Sequence, residues 1–204
     1  TAFGGASNST NMLHNRELAF DLNGALSPGW GVQMGAGRSL QSTDSSNYVH
    51  QRDTDTLRVG STFEADWGSL QANVRHDETG DFGSATTGLL GGRLVLGRGV
   101  SAVASLSTSF TPPKFDFLFY DCSPSVCSNP NLRPEKGRNA EAGLQWEDDR
   151  TLARVTVFAA RYRDKIANDS SFVPQNLDRA KNNGLELSLR THLSAWSVAG
   201  EAVF

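Results

Sequence analysis

Asn129-Pro130-Asn131-Leu132-Arg133-Pro134-Glu135-Lys136 opens the stretch that decides the fold. The block leads into an alternating run, Asn139 to Trp146, then an acidic turn, Glu147-Asp148-Asp149, and a second run, Thr151 to Tyr162. Asp164-Lys165-Ile166 follows, then a loop, then Asn182-Asn183-Gly184-Leu185-Glu186-Leu187. Within the first run Ala140, Ala142, Leu144 and Trp146 alternate with Asn139, Glu141, Gly143 and Gln145. A period of two predicts a β-strand with one apolar and one polar face.

The same period recurs on both sides of this block. Leu57, Val59, Phe63 and Ala65 oppose Thr56, Arg58, Thr62 and Glu64, while Leu70, Ala72 and Val74 oppose Gln71, Asn73 and Arg75. No segment carries a 3.6-residue stripe. About ten strands are expected, near 14–26, 30–41, 54–66, 69–78, 86–97, 100–111, 137–147, 151–166, 180–192 and 196–204. Their connections alternate in length. Short steps such as Ser27-Pro28-Gly29, Asp66-Trp67-Gly68 and Gly97-Arg98-Gly99 take turns with longer ones near 42–53, 79–85, 112–136 and 167–179. Sorting by side is the arrangement of an antiparallel transmembrane β-barrel meander, and a soluble sandwich has no reason for it. Strand length agrees, because a tilted membrane strand needs about 9–11 residues where globular strands average about five or six.

Composition permits this all-β class. Hydrophobic residues make up 38% of the 204, low for a packed core of that size, and no apolar run approaches the roughly 20 residues of a membrane helix. The net charge of -3, with scattered Lys and Arg, gives no nucleic-acid footprint. In a barrel the apolar set faces lipid. Arg58, Arg75, Gln71, Glu141, Gln145, Glu186 and Arg190 then project inward. Trp30, Trp67, Trp146 and Trp196 all sit beside short turns and are expected to form a membrane girdle.

The NPNLxPEK block, the D-x-I ending at Ile166 and the N-x-G-x-E strand at Asn182 occur in order. Together they resemble the C-terminal part of the barrel of TonB-dependent outer-membrane receptors, especially the vitamin B12 receptor-like branch. The motifs lie mainly in 100–204, and the earlier strands fit in pattern. The resemblance implies a partial barrel over 1–204, part of a wall of about 22 strands. It also implies an outer-membrane location in a Gram-negative bacterium, and capture of cobalamin or an iron-siderophore complex. The plug domain and the segment that contacts TonB are expected to be absent, so the chain alone should transport nothing. Bare edge strands should make it aggregate without the rest of the wall. Two alternatives stay open: a complete small barrel, closed between first and last strands, and a soluble β-rich module.

The segment 112–136 is the first functional candidate. Phe115, Phe117, Phe119 and Tyr120 crowd into six positions. So much ring surface must either pack down into the barrel mouth or bind an extracellular ligand. Phe110-Thr111-Pro112-Pro113 through Phe119-Tyr120 is similar to a loop motif of related receptors, with altered spacing. Cys122 and Cys127 are either unrelated thiols or, as an oxidising periplasm favours, a local disulfide pinning the loop. No zinc set is expected, since His14, His50, His76 and His192 lie far from them in sequence. Asp44, Asn47, Asp53 and Asp55 could offer oxygens to a cation but read better as solvated loop residues. His76 beside Asp77 and Glu78 is no catalytic constellation. No enzyme activity, metal or cofactor is expected.

Overall fold

A computed structural model describes residues 11–46, 48–121, 125–193 and 196–204. Ten strands follow one another through one antiparallel sheet, each paired with its neighbour in sequence. They are β1 (Asn11–Ser27), β2 (Trp30–Ser45), β3 (Val49–Ala65), β4 (Gly68–Thr79) and β5 (Gly83–Gly97), then β6 (Val100–Thr111), β7 (Glu135–Glu147), β8 (Thr151–Asn168), β9 (Pro174–Leu193) and β10 (Trp196–Val203). Among the described residues β1 and β10 are the sheet's end strands and do not pair with each other, so the small closed barrel is not formed.

Register fixes the two faces. One row runs Trp30, Phe63, Leu70, Gly92, Ala104, Ala142, Val157, Leu185. A second runs Asp21, Gly35, Arg58, Arg75, Thr87. Because cross-strand partners share a face, Arg58, Arg75 and Gln71 lie together, as do Glu141, Gln145 and Glu186 across β7 to β9. The first row starts at a strand end in β2 but has climbed to mid-strand at Val157, the stagger that accompanies strand tilt in barrels.

The apolar face is bare: Leu57, Val59, Leu90, Leu106, Leu144 and Val157 are exposed, Val59 at 58%. Among the described residues the buried hydrophobics are Phe115, Leu118 and Leu132, none of them in the sheet. A water-soluble sandwich buries its apolar face against a second layer, and among the described residues none covers this sheet.

Two expectations are corrected. The connections read as long near 42–53, 79–85 and 167–179 shrink to residues 46–48, 80–82 and 169–173, because the flanking strands pair outward past the apolar band. Polar residues such as Ser42 and Gln51 pair as readily by backbone as apolar ones, and only their side chains had suggested loop. The other correction is a helical turn, α1 (Phe115–Phe119), in the connection between β6 and β7, of which 112–121 and 125–134 are described.

The short turns share a locking device. Gly29 and Gly99 adopt left-handed φ of 76° and 77°, and each carbonyl accepts a hydrogen bond from the end of the next hairpin: Glu64 N–H at 2.7 Å and Glu147 N–H at 2.9 Å. A Cβ on Gly99 would stand 2.3 Å from the Glu147 carbonyl oxygen. Gly99→Ala is therefore expected to destabilise the β5–β6 hairpin by about 2 kcal/mol, from the unfavourable φ and the displaced backbone contact. Denaturant unfolding of the folded barrel measures it, and a neutral result would refute the turn geometry.

On the polar face Gly35 serves a different need. Arg58 reaches over it to make a bidentate bond to Asp21 at 2.7 to 2.9 Å, so that β1 and β3 are bridged across β2. A Cβ there would lie 2.5 Å from both Arg58 Nε and Asp21 Oδ1. Arg75, opposite Arg58, is held by Asp77 at 2.7 Å. Each like charge in that pair thus has its own carboxylate.

Candidate functional site

At the sheet end away from the short turns, residues 112–121 and 125–134 belong to a strap fixed at two anchors. The first stands on β3. Arg52 is 8% exposed; its Nε bonds Asp81 at 2.7 and 3.0 Å, and its Nη2 donates to the Pro113 carbonyl at 3.0 Å. The guanidinium lies 4.7 Å from the Phe115 ring centroid and 5.2 Å from that of Phe82. A planar cation with several donors suits this position, since it can stack on rings while its edge is fully hydrogen-bonded.

α1 continues the anchor. The His50 ring sits 4.0 Å from that of Phe119 and 5.2 Å from that of Phe115. The Tyr48 hydroxyl donates to the Asp116 carboxylate, and Leu118 is buried. Phe115 is thus taken up by the chain's own wall, while Phe117, Phe119 and Tyr120 are half-buried. Lys114 Nζ stands 5.9 Å from the Phe117 ring.

The second anchor explains two of the sequence motifs at once. Asn129 donates to the Pro174 carbonyl at 3.0 Å, and Leu132 is buried. Asn176 clasps Arg133 by its backbone, accepting from N–H at 2.8 Å and donating to the carbonyl at 2.9 Å, while the Arg133 guanidinium meets Asp164 at 2.6 Å. Glu135 accepts from the Ile166 N–H at 2.8 Å and lies 3.7 Å from Lys165 Nζ. The NPNLRPEK block is the strap's foot, and Asp164-Lys165-Ile166 is its socket. In the third motif, Gly184 lies under the Phe158 ring, where a Cβ would stand 2.8 Å from Phe158 Cζ.

Between the anchors, Cys127 is disulfide-bonded. Cys122 lies outside the described residues. His76 bonds Thr86 on one face while Asp77 bonds Thr56 and Arg75 on the other, so those two do not converge. Asp53 and Asp55 are both engaged by Arg38, at 3.2 and 3.6 Å. Asp44 ends the β2 pairing opposite Val49, and Asn47 lies outside the described residues. The four tryptophans all stand at the short-turn end: Trp30 and Trp196 start strands, Trp67 is in a turn, and Trp146 is next to last in β7.

Beneath the first anchor lies a cavity of about 620 Å³, bounded by Tyr48, Arg52, Arg75, Asp77, Phe115 and Asp116 among others. Its volume is that of a small-molecule site, and its walls combine rings with both signs of charge. Tyr48, His50, Arg52, Asp81 and Asn176 were not singled out from sequence. A signal for two of them exists: continuing the β3 alternation from Arg58 through Thr56 and Thr54 reaches Arg52 and His50 on the polar face.

The described TonB dependent receptor-like β-barrel family matches residues 1–203. The chain belongs to the TonB-dependent receptor family. The match covers all but the last residue, beyond the 100–204 to which the sequence motifs pointed. Among its relatives is the vitamin B12 transporter BtuB of Vibrio vulnificus (strain YJ016), 27% identical over 154 residues, which span 71% of this chain and 24% of that protein. The siderophore receptor PirA from Pseudomonas aeruginosa superposes with a TM-score of 0.83 at 23% identity, over 95% of this chain and 41% of that one. A double mutant of the Serratia marcescens hemophore receptor HasR, in complex with its hemophore HasA and heme, gives 0.74 at 17%, over 96% and 42%. The two structural likenesses speak for the fold. The chain spans about a quarter of the length of the BtuB relative.

Proposed function

We propose that this chain is a wall segment of an outer-membrane TonB-dependent receptor that captures a scarce ligand and imports it, cobalamin first and an Fe(III)-siderophore second. The observation that carries the reading is the two-faced sheet. Large apolar side chains stand exposed on one face, Arg58, Arg75, Glu141 and Glu186 line the other, and all four tryptophans gather at one rim. In this account the apolar face meets lipid, the polar face meets water and a plug, and the strap with its cavity faces the medium. The chain acts as a passive wall, and energy relayed through TonB acts on a plug that the wall surrounds. Cobalamin leads because of the similarity to BtuB, and the siderophore reading follows from the fold shared with PirA.

Equilibrium titration of the receptor with cyanocobalamin, in parallel with a ferric catecholate siderophore, tests this. Saturable cobalamin binding, weakened at least tenfold by Arg52→Ala, is expected. Saturable siderophore binding alone would move the assignment to the second ligand. Binding of neither would refute capture.

A further inference from the structure

The outward alternation of β7, β8 and β9 ends in six cations. Lys136 pairs with Arg163 and Arg163 with Arg179; two residues nearer the membrane band, Arg138 pairs with Arg161 and Arg161 with Lys181. Their strands place them in register with Ala140 and Ala159 and so on the apolar face's side. All six are exposed. Among the described residues none of the six makes an ion pair, whereas Arg38, Arg52, Arg58, Arg75 and Arg133 all do. The two rows occupy a patch of about 10 by 7 Å, from ordinary strand spacing and rise. Like charges directly opposite one another in a sheet are destabilising, which makes an unneutralised two-by-three grid an anion site in search of its anion.

Its position says which anion. Arg138 is about eight residues along β7 from Trp146, roughly 26 Å of strand. With the usual barrel tilt that is roughly 20 Å of height, close to the apolar band of such barrels. The cations therefore rim the band opposite the tryptophans. A groove of about 620 Å³ passes Val74, Leu90, Leu106, Ala140 and Ala159 and ends at Arg138 and Arg161. An apolar trough capped by clustered cations matches a lipid whose headgroup carries phosphates.

We propose that β7–β9 hold a phosphate-bearing lipid of the leaflet on the strap side, with its phosphates on the six cations and its acyl chains along the groove. The proposal rests on the membrane-wall reading above. Native mass spectrometry of the receptor in detergent, with diphosphoryl lipid A as the probe, tests it. The triple variant Arg138→Gln, Arg161→Gln, Lys181→Gln is expected to lose at least tenfold in bound lipid, and the same three sites as Lys are expected to retain it. Should the triple variant not fold, the single Arg161→Gln is expected to lose about threefold. Equal lipid retention by wild type and a folded Gln variant would overturn the proposal. So would displacement of the lipid by an equal concentration of inorganic pyrophosphate, which would make the occupant a free anion. A heat-modifiable band on SDS gels, run on every sample, separates the two claims. If the wild type shows none, the membrane wall itself fails; if it does, only the lipid site is at stake.

Discussion

Val59→Arg is expected to destabilise the folded barrel by about 2–4 kcal/mol, the cost of an arginine on the lipid face near the bilayer midplane. Val59 lies midway along β3 between Phe63, paired with Trp30 at the short-turn end, and Asp55, which sits toward the other end with Arg38. Its partners Met34 and Val74 are likewise apolar and exposed, so no carboxylate is at hand. Gln71→Arg is the matched control. It introduces the same side chain on the polar face, where Gln71 is already exposed, and should cost under about 1 kcal/mol because water solvates the charge. Denaturant titration of both variants refolded in phosphatidylcholine vesicles gives the comparison. Equal costs would mean that the two faces see the same medium.

Arg52→Ala is expected to free the strap from the wall. Removing one partner of a buried ion pair costs about 3–5 kcal/mol, because the other charge is left uncompensated. The low end applies here, since the Asp81 side chain keeps 22% exposure. The substitution also strands the Pro113 carbonyl and takes away the cation between Phe82 and Phe115. About 3 kcal/mol corresponds to more than a hundredfold shift from docked to undocked strap. Tryptic cleavage after Lys114, which is exposed but tied into α1, should accelerate accordingly. Arg52→Lys should rescue only in part, because an ammonium cannot stack flat on Phe115 while donating sideways to Asp81. Unchanged cleavage would show that the strap is held by Leu118 and the ring contacts instead.

How legible this was depended on where side chains, and where only the backbone, decide the structure. All ten strands were readable, because Leu57 to Phe63 or Ala140 to Trp146 must alternate to present one face to an apolar surroundings. The polar ends of β2 and β3 were not. Ser42, Thr43, His50 and Gln51 look like loop, yet continue the ladder by main-chain bonds that no side chain advertises. The error carried into the site, since a segment read as loop has no face on which to place His50 and Arg52. The strap's foot was visible as a motif but not as a contact. That Arg133 meets Asp164 and Glu135 meets Ile166 follows from β7 and β8 pairing at Lys136 and Arg163, which brings the two motifs side by side. The α1 turn, with five residues and no side-chain cap, left no periodic signal.

The most direct test is to attach an environment-sensitive fluorophore at Val59→Cys or Gln71→Cys in the refolded receptor, native disulfide intact, in vesicles of brominated phosphatidylcholine. A lipid-facing wall predicts blue-shifted emission, strongly quenched by mid-chain bromines, at position 59, and solvent-like, unquenched emission at 71. Equal quenching at both positions, or none at 59, would contradict the membrane wall.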